Sequence, residues 1–131
     1  MINSTHPAVS WYLLISAASF AVLFTLPLLL VPLKWARVLR WQVHDDDALA
    51  VYLGRSLGAA GCGIVYVTVR AARDPVAHPM IFELMIVAGA LLTLVHIVGA
   101  LQRKQPWTET AEIGFWAAVT VVAALVYRSL Y

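Results

Sequence analysis

The sequence predicts an all-α fold, an integral membrane up-down four-helix bundle with short loops, in a single transmembrane domain over residues 1–131. Three observations predict it. The chain is 62% hydrophobic and 12% charged, with a mean hydropathy of +0.82. A soluble domain of this size carries about a quarter charged residues, so too little polar surface remains to cover a water-soluble globule. Four apolar stretches each approach the roughly 20 residues needed to cross about 30 Å of hydrocarbon at about 1.5 Å per residue. None of them alternates as barrel strands do.

The first span is expected over about 9–33, with Pro27 and Pro32 kinking or ending it. The residues 1–10 before it hold no basic cluster, so this apolar run reads as a span and not as a cleaved leader. Lys34, Trp35, Arg37, Val38, Leu39, Arg40 and Trp41 then alternate basic with bulky apolar residues. That pattern suits an interfacial helix, tryptophans at the headgroup boundary and bases towards anionic lipid. The second span, about 48–69, follows Asp45, Asp46 and Asp47, whose carboxylates suit a helix N-terminus. The third, about 80–101, follows Asp74-Pro75 and His78-Pro79, and the fourth, about 111–130, follows Pro106 and Thr108. Trp11, Tyr12, Tyr127 and Tyr131 suit one aromatic belt, and Trp35, Trp41 and Trp107 the other.

Orientation follows from the basic residues. Lys34, Arg37, Arg40, Arg103 and Lys104 lie in the first and third loops; Arg70, Arg73 and Arg128 lie on the opposite side. The excess places loops 34–47 and 102–110 in the cytoplasm and both termini outside, and the composition suits a bacterial inner membrane. Bases placed mostly at segment ends argue against a nucleic-acid partner. The one cysteine, Cys62, sits in an apolar segment, so it supplies neither an intrachain disulfide nor a thiolate zinc set.

Small residues mark the packing faces. Gly54 and Gly58 form a GxxxG pair continued by Cys62, and Gly89 and Thr93 form a similar stripe with His96 and Ala100 on the third span. In lipid such stripes let backbones approach closely, within the chain or at an interface with a second copy or a partner membrane subunit. A four-helix chain has little interior of its own, which favours a homo-oligomer or a partner subunit.

Ionic groups inside a bilayer need a partner, a cavity or an interface. Arg55 lies about 12 Å, and His96 about 9 Å, from the expected cytoplasmic ends of their spans. Glu109 and Glu112 open the fourth span on that same side, one helical turn apart, with Trp116 and Thr120 continuing the stripe. Gln102, Gln105 and Thr108 lie near them in the sequence. The expected ligand-binding set is Arg55, His96, Glu112 and Trp116, with Glu109 nearer the mouth. It reads as a register-fixing ion pair of Arg55 with Glu112, or as a pocket in which the guanidinium holds an anionic or lipid-like ligand and the imidazole exchanges a proton. Glu83, one turn inside the other end of the third span, is accounted for by the helix dipole and interfacial water.

No cofactor, metal or catalytic residue is expected. His6, His44 and His78 fall in loops, so a haem held by two histidines would need His96 from two copies. His44 beside the three aspartates suggests a metal site, but helix capping explains the aspartates more simply. The chain has neither the paired cysteines of thiol oxidoreductases nor an intramembrane glutamate in its first span like that of small multidrug transporters. The leading expectation is a non-catalytic oligomeric or accessory membrane subunit with a cytoplasmic-side pocket, surrounded by membrane lipid. The alternatives are an oligomeric transporter or channel, and a membrane enzyme or quinone-reactive subunit using His96 and Glu112.

Overall fold

The computed structural model describes residues 2–131. Among these residues the chain is helical with no strand: α1 (Pro7–Phe20), a π-helical turn (Ala21–Thr25), α2 (Leu26–Leu30), α3 (Pro32–Val38), α4 (Ala48–Ala71), α5 (Met80–Leu101) and α6 (Trp107–Arg128). Four stretches are long and apolar enough to span a bilayer: Pro7–Leu30, Ala48–Ala71, Met80–Leu101 and Trp107–Arg128. The protein is therefore an integral membrane protein, all-helical and consistent with a helical bundle. Its contacts gather into two compact units, Met1–Pro75 and Val76–Tyr131. Each is a helical hairpin.

In the first unit α1 and α2 run antiparallel to α4. Pro27 has no backbone N–H to give, and the helix is rewound just before it, so that Leu26 N–H reaches back five residues to Ala21 O. A regular helix would use the amide of residue 27 to bond the carbonyl of Leu23. Here the indole of Trp35 donates to that carbonyl at 2.8 Å, and its ring meets Phe24 edge-on at 5.8 Å. Hydrocarbon offers a carbonyl no other donor; α3, folded back against the π-helical turn, supplies one. Pro32 sets the end of the span: Val31 leaves the helical region at φ −138°, and Pro32 starts α3.

Arg40 closes α3 at φ 68°, with Trp41 N–H returning to Ala36 O at 3.0 Å. Glycine usually occupies such a left-handed cap. Asp47 caps α4, its carboxylate accepting from Ala50 N–H at 2.9 Å, whereas Asp45 pairs with Arg37.

Close approach of backbones holds this hairpin together. Gly54, Gly58 and Gly61 are buried along α4. A methyl group on Gly58 would stand 2.5 Å from Leu29 N, and one on Gly54 would stand 2.6 Å from Pro32 Cβ. The third member of the stripe is Gly61, packed on Thr25; Cys62, one residue on, is exposed. At the other end of the hairpin Ser10 Oγ donates to Ala72 O at 2.6 Å and Asn3 Nδ2 to Arg73 O at 3.2 Å. The N-terminal segment thus meets carbonyls that the end of α4 leaves open.

The second unit pairs α5 with α6, again antiparallel. At one end the rings of Phe82 and Tyr127 stack at 5.6 Å, and Tyr127 Oη donates to Glu83 Oε1 at 3.2 Å. Midway, Gly89 faces Thr120 and the Trp116 carbonyl. At the other end His96 meets the first turns of α6. Arg103 ends α5 at φ 53°, with Lys104 N–H bonded to Gly99 O at 3.2 Å.

The helix of the fourth span starts at Trp107 instead of near residue 111. Hydropathy hides that start, because Thr108, Glu109 and Thr110 are polar although their backbone is helical. Pro79 and Pro106 occupy the N-cap positions of α5 and α6.

Candidate functional site

The candidate site lies within the second unit, between the last turns of α5 and the first turns of α6. His96 is five residues from the end of α5, about 8 Å along the axis. Antiparallel pairing after a short turn brings it level with Glu109 and Glu112, which share a face of α6 at i, i+3 spacing. His96 Nε2 lies 3.1 Å from Glu109 Oε2 and 3.6 Å from Glu112 Oε2. The three side chains are only 10%, 13% and 17% exposed, so the group is largely withdrawn from its surroundings. Glu109, which the sequence places nearer the mouth, makes the shorter contact with the imidazole.

His96 and Glu112 are braced from behind. His96 Nδ1 lies 2.7 Å from Leu92 O, one helical turn earlier. A carbonyl oxygen can only accept, so Nδ1 carries the hydrogen and Nε2 turns towards the glutamates. Trp116, itself buried, donates its indole N–H to Glu112 Oε2 at 3.0 Å. Gln105 Nε2 donates to His96 O at 3.0 Å and to Thr110 Oγ1 at 3.2 Å, tying the connecting turn to both helices. A Cβ at Gly99 would meet the amide end of Gln105, so the glycine leaves room for that side chain to lie against α5.

The charge pattern sets what the site can do. If both glutamates are ionised and the imidazole is neutral, a lone pair on Nε2 faces two negative oxygens. Such a contact is repulsive unless a cation, a proton or a metal ion, sits within it. The arrangement can therefore take up a proton or hold positive charge, and is ill suited to an anion. One donor atom from each of His96, Glu109 and Glu112 can be chosen so that all lie within 4.8 Å of one another.

Arg55 belongs to the first unit. It is exposed on α4, forms no ion pair among the described residues of that unit, and lines an open groove of about 650 Å³ with Leu29, Asp45, Asp46, Tyr52 and Ser56. Its nearest acidic company within the unit is thus the α4 N-terminal aspartates. Of the packing residues, Gly54 and Gly58 lie against α1–α3, and Gly89 lies against α6. Thr93 Oγ1 donates to Gly89 O at 2.8 Å, within its own helix.

The chain matches no protein-family model, and no curated protein or solved structure shows significant similarity to it. The chemistry of the site thus rests on its own residues. In the sequence Gln105 stands only as a nearby polar group, and the Leu92 carbonyl is not marked out. The i, i−4 relation of Leu92 to His96 was the available signal for the second; the pairing of Gly99 with a glutamine after the turn was the signal for the first.

Proposed function

We propose that the protein is a small, non-catalytic membrane subunit that assembles with further copies or a partner and holds a ligand at the His96–Glu109–Glu112–Trp116 centre. The observation that carries this reading is the convergence of three ionisable side chains, His96 and Glu112 fixed from behind, on one small volume at the end of the α5–α6 hairpin. Fixing side chains before a ligand arrives lowers the cost of binding. The two carboxylates favour a cationic or hydrogen-bond-donating ligand. An anionic or lipid-like ligand finds its complement instead at Arg55 in the groove of the first unit. With both termini outside, the centre faces the cytoplasmic side of a bacterial inner membrane.

A second reading has its own support. The 3.1 Å contact between His96 Nε2 and Glu109 is within proton-transfer reach, and suits a proton relay to a membrane-dissolved quinone.

Native mass spectrometry of the full chain, extracted from its own membrane in mild detergent, tests the leading reading. Wild-type protein is expected as a multimer or complex carrying mass beyond the bare polypeptide, and His96→Gln with Glu112→Gln as the same assembly without that mass. A bare monomer from both preparations would overturn the proposal.

A further inference from the structure

We propose that His96, Glu109 and Glu112 form a binding site for one first-row divalent metal ion, of the zinc, cobalt, iron or manganese class. This deepens the ligand-holding reading above and rests on it. The donor set is one imidazole nitrogen and two carboxylates, a combination those ions accept and calcium or magnesium does not favour. Metal–ligand bonds of about 2.0–2.2 Å place neighbouring donor atoms roughly 3–3.5 Å apart. The Nε2 separations of 3.1 and 3.6 Å lie within and just above that spacing.

The supporting contacts match what a metal needs. Leu92 O takes the hydrogen on Nδ1, which presents the Nε2 lone pair to the centre, and Trp116 orients Glu112 through its carboxylate. Such outer contacts fix tautomer and direction. Charge balance points the same way. A single shared proton leaves two carboxylates and one imidazole with a net charge of −1, whereas a divalent ion neutralises two ionised glutamates and a neutral histidine. Among largely buried groups of a membrane helix pair the neutral assembly is the less costly one. Three protein donors also leave at least one coordination position for water or a further ligand.

The test uses the full chain in detergent, stripped with chelator and titrated with Zn²⁺ by calorimetry and with Co²⁺ by visible absorption. Wild-type protein is expected to bind one ion per chain and to show ligand-field bands of a cobalt site with nitrogen and oxygen donors. His96→Gln, Glu109→Gln and Glu112→Gln should each weaken binding at least about tenfold, Trp116→Phe by about tenfold. Glu83→Gln, at the other end of the hairpin, should leave it unchanged. X-ray absorption of the zinc-loaded wild type, which needs no variant to fold, should show one imidazole, oxygen donors and no sulfur. Absence of saturable binding by the wild type, or undiminished binding by the three variants combined, overturns the site. A chain that binds no metal yet keeps an organic adduct dependent on His96 would retain the ligand-holding reading while removing this one.

Discussion

Adding one methyl group at Gly58 tests how tightly the first hairpin is closed. A Cβ there would stand 2.5 Å from Leu29 N, 2.7 Å from Leu29 Cα and 2.8 Å from Leu29 Cβ. Ordinary contact begins near 3.4 Å, so α2 and α4 must separate by about 1 Å, and two of the three atoms struck are backbone that cannot rotate aside. Overpacking of this kind costs about 1–3 kcal/mol. Alanine also stabilises a helix by about 1 kcal/mol relative to glycine, which would partly conceal the clash. Gly63→Ala supplies the reference, because nothing lies within 4 Å of a Cβ at that position of the same helix. The propensity gain is common to both variants, so Gly58→Ala should fall below Gly63→Ala by about 1–3 kcal/mol. Reversible unfolding in mixed micelles, driven by sodium dodecyl sulfate and followed by tryptophan fluorescence, measures that difference. A Gly58→Ala protein as stable as Gly63→Ala would refute the close approach of α4 to Leu29.

Two further outcomes test the polar and backbone devices. Trp35→Phe keeps the ring against Phe24 but removes the donor to Leu23 O, and should cost about 1–2 kcal/mol. Pro27→Ala restores a backbone donor within reach of the same carbonyl, so the double variant should lose less than Trp35→Phe does, and strict additivity in the unfolding cycle would count against the assignment. Arg103→Gly relieves a left-handed arginine at φ 53° and should raise stability by about 1 kcal/mol; an unchanged or lower unfolding midpoint would speak against a strained cap.

What the sequence revealed, and what it concealed, divides along two coordinates of a membrane helix. Depth is legible. Apolar length marks the four spans, Pro32 ends the first, Asp47 caps the second, and the short turn after α5 puts His96 level with Glu109 and Glu112. Depth misleads only where polarity and backbone geometry part company, as at Thr108, Glu109 and Thr110, which are helical although hydropathy assigns them to a loop. Azimuth is much less legible, because a step of one residue turns a helix by about 100°. Gly61 and Cys62 are both small and both plausible after Gly58, yet one is buried and the other exposed.

The deciding contact lies outside the helix that carries the pattern. Gly61 packs on Thr25, at the end of a π-helical turn whose extra residue per turn alters the face that α1 and α2 offer to α4. Pro27 is the local cue that the helix must be rewound, and the donor that replaces its missing amide, Trp35, comes from a separate helix. The second hairpin contains no such turn and no proline within its helices. Its faces therefore keep regular spacing along their whole length, from the Glu83–Tyr127 contact to the histidine–glutamate centre. That regularity is why the ionisable centre can be approached from residue spacing: in an undistorted antiparallel pair, groups equidistant from the turn and on the facing sides of both helices meet.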